Sequence, residues 1–114
     1  MRRSGNKRKS ERDVRIRPTT IQMKGRPLKV HNISSEGVGL LLEEDGPRFT
    51  IGERLEAIPL PLKAGAVNLK GVVTHISVTA GYTLCGIMFQ LTGKDIQSLA
   101  RFRQERTLPA TDRP

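Results

Sequence analysis

Hydrophobic and polar residues alternate along much of the chain, with the two-residue period that is typical of β-strands. Ile21 and Met23 alternate with polar neighbours, and the alternation resumes over Leu28–His31, after turn-forming residues at positions 24–27. Val38–Leu42 is a short apolar run, as expected of a well-buried strand. The first half of the chain therefore predicts three strands.

Three further strands are predicted in the second half, over Arg54–Leu60, Val67–Val78 and Tyr82–Gln90. Pro59 and Pro61 are expected to close the first of these strands, since proline cannot donate to a sheet ladder. Gly71 lies inside the longest strand and indicates a bulge or bend there. A hairpin at residues 79–81 is predicted to join the last two strands.

After these strands the period changes to that of a helix. Thr92 stands three residues before Asp95, the spacing of a capping box at a helix start. One helix face then carries, at the spacing i, i+3, i+4 and i+7, the residues Ile96, Leu99, Ala100 and Arg103. Short strands followed by one helix predict a mainly β fold, a small six-stranded antiparallel β-barrel with a C-terminal α-helix. We expect the helix to cover one barrel mouth with Ile96, Leu99 and Phe102.

The net positive charge of the chain comes entirely from its first quarter. The 114 residues carry a net charge of +9, and residues 1–30 hold 11 basic and two acidic side chains. We expect residues 1–13 to form a flexible basic arm, residues 14–106 the barrel with its helix, and residues 107–114 a disordered tail. Such an arm is usually solvated, but it can also meet a polyanion such as nucleic acid, a nucleotide or an acidic lipid.

Several protein classes are disfavoured by composition. No apolar run approaches the roughly 20 residues that a membrane-spanning helix needs, and the charged N-terminus does not resemble a secretory signal. One cysteine, Cys85, cannot form an internal disulfide, which fits a reducing compartment. One Cys and two His are too few for a zinc cluster, so no metal is expected. Because no nucleophile motif or phosphate loop is present, we expect a binding module and not an enzyme.

Two short motifs carry candidate binding chemistry. Arg8 and Arg12 form an RxxxR on the basic arm. Asn32, Ser34 and Gly37 form an NxSxxG in a polar turn over residues 32–37, where Asn32 and Ser34 can point to one face. We expect Gly37 to supply a backbone conformation that other residues resist. His31 directly precedes the second motif and is a further candidate for the binding face.

With both motifs in this order, the chain resembles the PilZ family, bacterial receptor domains for cyclic di-GMP. The apolar strand after NxSxxG, the late strand at Gly86–Phe89 and the closing helix at Thr92–Arg106 extend the resemblance. The resemblance implies a cytoplasmic bacterial protein that binds cyclic di-GMP with its two motifs. It also implies that the arm becomes ordered over the ligand and signals to a partner protein in motility, exopolysaccharide or biofilm control.

The residues of the two motifs suit that ligand. Arginine can donate two hydrogen bonds to the O6 and N7 edge of guanine, clamp a phosphate or stack on the base. The Asn32 side-chain oxygen can accept from guanine N–H groups, and Ser34 adds a short donor or acceptor. In the family, an arginine just before RxxxR accompanies an intercalated ligand dimer. Here Lys7 holds that position, and we expect two ligand molecules per domain.

Two other functions fit parts of the sequence. A small basic barrel can bind nucleic acid, but the basic region contains no aromatic side chain on which bases could stack. A PilZ-like adaptor that binds only protein is the second alternative. A domain of that kind has no need of the complete set of motif residues, namely Arg8, Arg12, Asn32, Ser34 and Gly37.

Overall fold

A computed structural model describes residues 17–107 of the chain. Within that range lie six β-strands and one α-helix: β1 (Thr20–Met23), β2 (Arg26–Ile33), β3 (Gly37–Leu42), β4 (Arg54–Leu62), β5 (Gly65–Thr79), β6 (Tyr82–Gln90) and α1 (Gly93–Arg106). The predicted arm over residues 1–13 lies outside the described residues, and so does the predicted tail apart from Thr107.

The strands form one antiparallel sheet in the order β1-β2-β3-β6-β5-β4. Its two edge strands, β1 and β4, approach each other, so that the sheet curls into a nearly closed barrel. The predicted six-stranded barrel with a C-terminal helix is confirmed. Its core consists of inward-facing apolar side chains, of which the fully buried ones are Leu40, Ile58, Leu60, Leu69, Cys85 and Phe102.

The first hairpin turn is shorter than predicted. Lys24 (φ 52°) and Gly25 (φ 83°) both lie in the left-handed region, as a two-residue type I′ turn requires. Arg26 therefore already pairs with Met23, and Pro27 lies within β2 instead of in the turn. Proline is tolerated there because the ladder between β2 and β3 begins only at Lys29.

Of two expectations about the long strands, the first is wrong and the second is confirmed in part. Pro59 and Pro61 do not end β4, which continues to Leu62, because β4 is an edge strand and needs no donors on its open side. Gly71 does lie at an irregularity: it pairs with Leu55, and the register between β4 and β5 shifts between Leu55 and Ile58, with the extra residue in β4. Glycine is needed at position 71 because a Cβ atom would lie 2.8 Å from Ile87 Cγ2.

The helix begins as predicted but turns a different face to the barrel. Thr92 Oγ1 accepts from the Asp95 amide (3.4 Å) and Asp95 Oδ2 accepts from the Thr92 amide (3.0 Å), which confirms the capping box. Leu99 and Phe102 are buried, whereas Ile96 is 56% exposed. At 3.6 residues per turn, Ile96 lies about 120° around the helix axis from Phe102. The expected burial of Leu99 and Phe102 is therefore confirmed, and that of Ile96 is wrong.

The C-terminal end of α1 is tied to the gap between the two sheet edges. Arg106 donates from Nη2 to the Pro61 carbonyl of β4 at 2.9 Å. Its own carbonyl accepts from the Arg17 amide at 2.7 Å. Its guanidinium lies 5.6 Å from the centroid of the Phe102 ring, within the range of a cation–π contact. The helix end thus holds the start of the described chain against β4.

A second tie joins the β1–β2 turn to the loop before β4. Lys24 Nζ lies 2.6 Å from Glu53 Oε2 and donates to the Arg48 carbonyl at 2.6 Å. The hydrogen bond from Lys24 lowers the pKa of Glu53. Burial, followed by the charge of Glu53, raises the pKa of the Cys85 thiol to about 11, so that Cys85 stays protonated at neutral pH. Cys85 is fully buried in β6.

Candidate functional site

A cavity of about 370 Å³ lies on the outer face of the barrel, across the four neighbouring strands β2, β3, β6 and β5. Its volume falls in the usual range of small-molecule sites. Backbone and side chains of twelve residues line it, namely Asn32, Ile33, Ser34, Glu36, Gly37, Val38, Gly39, Thr74, Leu84, Gly86, Ile87 and Met88. The cavity therefore lies directly against the NxSxxG motif.

The register of the sheet explains why this face is hollow. Asn32 pairs with Gly39, Gly39 with Gly86, and Gly86 with His75, so these four residues form one row across the strands. The two central members of the row have no side chain. The floor of the cavity is therefore backbone, with Asn32 at one end of the row and Thr74, the neighbour of His75, near the other.

Local irregularities in the strands shape both ends of this row. The register of β2 shifts between Val30 and Asn32, and that of β5 shifts between Val73 and His75. His31 and Thr74 are the extra residues at these bulges. A bulge re-aims the side chains that follow it. Asn32 and Thr74 both line the cavity, so each bulge delivers a polar residue to it.

Asn32 lies in strand β2 and not in the predicted turn, which is limited to residues 34–36. Its Oδ1 atom extends over Gly39, where a Cβ atom would lie only 2.5 Å from it. No hydrogen bond joins the Asn32 side chain to another residue between positions 17 and 107. Its amide donors and carbonyl acceptor can therefore serve a molecule in the cavity.

Ser34 organises the loop that closes the motif. Its Oγ atom accepts from the amides of Glu36 (3.1 Å) and Gly37 (3.2 Å), while its own amide donates to the Gly37 carbonyl at 2.9 Å. The Glu36 carbonyl accepts from the Phe89 amide at 2.8 Å, which fixes the loop to β6. The Ser34 hydroxyl proton lies in a weak 3.5 Å contact with the Gly37 carbonyl. It is therefore available as a donor toward the cavity.

Gly37 is required for a different reason from the one expected. Its φ angle is not among the positive values of this structure, so no unusual backbone conformation is needed at position 37. A Cβ atom there would instead overlap the backbone carbonyl oxygen of Ile87 in β6. Glycine therefore permits the close approach of β3 to β6 at the rim of the cavity.

The remaining predicted site residues lie elsewhere. His31 is exposed and does not line the cavity, because the bulge in β2 directs it away from the row. Its ring centroid lies 6.4 Å from that of Tyr82. Lys7, Arg8 and Arg12 fall outside the described residues, so their predicted roles stay predictions. The structure thus brings Asn32, Ser34 and Gly37 together. Gly37 is needed because it leaves room for the Ile87 carbonyl, and not because of its backbone conformation.

The lining of the cavity determines what it can hold. Leu84 and Met88 supply apolar walls on either side of Gly86, which suits the flat faces of an aromatic base. Asn32, Ser34 and Thr74 supply hydrogen-bonding groups at the ends. Glu36 is the only charged residue of this lining. An anionic ligand would therefore need cations from outside residues 17–107 or from the rim.

Sequence reasoning missed several residues of the cavity, including Gly39, Gly86, Thr74, Leu84 and Met88. A signal for two of them was present, since glycine inside a strand weakens it and often marks close approach of a ligand or another backbone. Gly39 and Gly86 both interrupt apolar strands. Their pairing, and with it the hollow, depends on register, which no short motif specifies.

Two classes of site are not found among the described residues. Between positions 17 and 107 no three His, Cys, Asp or Glu side chains gather into a metal-binding group. In the same range, no helix has the length and apolar character needed to cross a membrane.

Comparison with known proteins identifies a family and a similar solved structure. The model of the PilZ domain family matches residues 6–105. Among solved structures, the inhibitor of motility MotI/DgrA of Bacillus subtilis is similar, with a TM-score of 0.56 and 24% identity over 82% of this chain. The chain spans 48% of the length of that protein. No curated protein matches the sequence.

Proposed function

Because the chain belongs to the PilZ domain family, a family of binding and regulatory domains whose general ligand is cyclic di-GMP, we propose that it is itself a cyclic di-GMP receptor. In this proposal Arg8 and Arg12 act together with the cavity beside Asn32. The observation that carries the proposal is the position of the cavity directly against Asn32, Ser34 and Gly37. Its backbone floor and apolar walls suit a flat base, and its polar ends suit the edge of guanine.

The charge distribution supports a division of labour between the barrel and the basic arm. The cavity lining carries one acid and no cation, whereas cyclic di-GMP carries two phosphates. Residues 31–114 have equal numbers of basic and acidic side chains, so the excess of +9 belongs to residues 1–30. In this proposal Arg8 and Arg12 supply the phosphate and guanine contacts, and the barrel supplies the shape of the site.

We further propose that ligand binding orders residues 1–13 over the cavity and that the new surface is recognised by a partner protein. Motility, exopolysaccharide synthesis and biofilm control are the outputs considered. Motility is the first output to test, because the similar structure is described as an inhibitor of motility. Amide exchange of residues 1–13 should slow when cyclic di-GMP is saturating. Unchanged exchange in the presence of bound ligand would contradict the ordering step.

The decisive experiment is calorimetric titration of the full chain with cyclic di-GMP, with linear GpG as the control ligand. Each charge-assisted contact contributes about 1.5–3 kcal/mol, so Arg8→Ala and Arg12→Ala should each weaken binding roughly tenfold to a hundredfold. Arg3→Ala removes the same charge outside the motif and serves as the matched control. It should leave affinity within about threefold, the effect of a screened surface charge.

Each outcome of this titration has a definite meaning. Equal losses in all three arginine variants would indicate unspecific attraction to a basic arm, and nucleic acid would become the next ligand to test. No binding at high micromolar ligand would overturn the receptor function and favour the protein-binding adaptor. The stoichiometry tests the expectation of two ligand molecules beside Lys7, and a ratio of one would overturn it.

A further inference from the structure

The outer face of β6 continues beyond the cavity to an exposed aromatic side chain. Even-numbered residues of β6 point outward, as the buried Cys85, Ile87 and Phe89 between them indicate. Tyr82 belongs to this outward series together with Leu84, Gly86 and Met88, which line the cavity. Tyr82 is 43% exposed, and it lies about 13 Å from Gly86 at a rise near 3.3 Å per residue.

A second ring accompanies Tyr82 on this surface. The exposed His31 lies with its ring centroid 6.4 Å from that of Tyr82, at an interplanar angle of 35°. His31 precedes Asn32 in β2, and Tyr82 is the outward-facing residue of β6 next to Leu84, which lines the cavity. The two rings therefore form an aromatic surface at the edge of the proposed ligand site.

Tyr82 also lines a second cavity, of about 300 Å³, at the end of the β5–β6 hairpin. Its lining consists of Leu42, Glu44, Val78, Thr79, Gly81, Tyr82 and Thr83. Glu44 is the only charged residue of that lining. An ionised carboxylate only accepts hydrogen bonds, so it fits a group that presents N–H donors.

A cyclic dinucleotide carries two bases, and a base held in the cavity beside Asn32 leaves a second base to be placed. Guanine presents adjacent N–H donors on its pairing edge, whereas adenine presents one donor group beside an acceptor. An exposed tyrosine ring offers a stacking face, and a nearby carboxylate offers the matching acceptor. The features around Tyr82 therefore correspond to the two kinds of contact that a guanine base makes.

We propose that Tyr82 and Glu44 form a second guanine subsite, in which the base stacks on the tyrosine ring and donates to the carboxylate. His31 supports the ring of Tyr82 from the β2 side. This inference rests on the proposed cyclic di-GMP binding and adds the residues that select guanine at the second base.

The chain provides its own optical reporter for this subsite. Tyr82 is the single tyrosine, and the chain contains no tryptophan, so tyrosine emission reports on this ring alone. Titration of the full chain with cyclic di-GMP should quench the emission and saturate at the stoichiometry found by calorimetry. The Tyr82→Phe chain mixed with free N-acetyltyrosinamide is the control for light absorbed by the ligand. Quenching no greater than in that control would overturn the proposal.

Affinity measurements provide the second arm. Base stacking on an aromatic ring contributes enough that Tyr82→Leu should weaken binding about fivefold to a hundredfold, whereas Tyr82→Phe should retain it. Glu44→Gln should reduce the preference for cyclic di-GMP over cyclic di-AMP about tenfold, the effect of one good hydrogen-bonded contact. Glu43→Gln is the matched control, because Glu43 lines neither of the two cavities and is highly exposed.

The outcomes separate this subsite from the proposed function. If Tyr82→Leu and Glu44→Gln bind like the unmodified chain while Arg12→Ala loses binding, the second subsite is wrong and the receptor function stands. If the unmodified chain does not bind cyclic di-GMP, the receptor function and the subsite both fail. Thermal melting followed by circular dichroism verifies that each variant is folded.

Discussion

Two regions of the barrel are held together in different ways. One is the outer face formed by β2, β3, β6 and β5, and the other is the seam between β1 and β4. On the outer face, Gly39 and Gly86 pair at the centre of a continuous ladder and leave a hollow. At the seam the ladder is interrupted, and α1 packs against β4 beside it, with Phe102 buried and Arg106 bonded to Pro61. The hollow therefore depends on backbone pairing between strands for its shape, whereas the seam depends on the side chains of α1 for its stability.

The strongest test of this contrast is removal of the side chain at the seam. Phe102 is fully buried, so Phe102→Ala should lower the free energy of unfolding by about 3–5 kcal/mol, through lost burial and the cavity left behind. Urea denaturation measures the loss, and Phe102→Leu should give a smaller one if the alanine variant does not fold. Ile96→Ala, at a 56% exposed position of the same helix, is the control and should cost under about 1 kcal/mol. A similar cost at both positions would contradict the orientation of α1.

The second test adds one methyl group to the outer face, at Gly37. Because a Cβ atom at position 37 would overlap the Ile87 carbonyl, Gly37→Ala should force β3 and β6 apart and destabilise the barrel by about 1–3 kcal/mol. Thermal unfolding measures the effect. At Gly93 an added Cβ meets nothing within 4 Å, so Gly93→Ala should be neutral or slightly stabilising. Equal stability of the two variants would show that close strand approach does not require glycine at position 37.

The third test separates the hollow from the fold. A Cβ atom at Gly39 would meet the Asn32 side chain at 2.5 Å, and that exposed side chain can rotate away. Gly39→Ala should therefore change the free energy of unfolding by less than about 1 kcal/mol. It should weaken cyclic di-GMP binding about tenfold, since it fills the floor and displaces one hydrogen-bonding side chain. Unchanged affinity in a titration would exclude the cavity as the base site.

The smallest expected effect concerns the ion pair between Lys24 and Glu53, neither of which lines the hollow. The pKa of Glu53 is lowered below its ordinary value of 4.5 by the hydrogen bond from Lys24. The stabilisation is therefore fully present above pH 4.5 and is lost as the pH falls through the lower folded-state pKa. Both side chains are partly exposed, so the effect should stay below about 1 kcal/mol. Glu53→Gln should remove this part of the acid dependence in denaturation measured between pH 5 and pH 3.

Much of the fold could be predicted from local patterns. Alternation located β1 and β2, the apolar run located β3, and the spacing of Thr92 and Asp95 located the start of α1. These features depend on neighbours in the sequence. The inward face of α1 was predicted only in part: Leu99 and Phe102 are buried as expected, whereas the predicted contact of Ile96 is absent because that side chain lies further around the helix.

The candidate site was predictable only in part. The motif identified Asn32, Ser34 and Gly37, and the structure shows that all three line one cavity. The bulges at His31 and Thr74 and the pairing of Gly39 with Gly86 are properties of register between strands distant in sequence. Tyr82 is in this class as well, since nothing in its local sequence places it beside His31.

The paired glycines also constrain how this domain can diverge. Every substitution at Gly39 or Gly86 adds atoms, so genetic drift at these codons can fill the hollow but cannot enlarge it. Substitution of Gly37 is less tolerated, because any side chain there would overlap the Ile87 carbonyl and destabilise the barrel itself. Under the proposed function, a lineage can therefore lose ligand recognition by one codon change at Gly39 and keep a folded barrel. In this architecture one substitution is enough to leave a folded barrel without ligand binding, and recovery of binding requires the reversal of that same substitution.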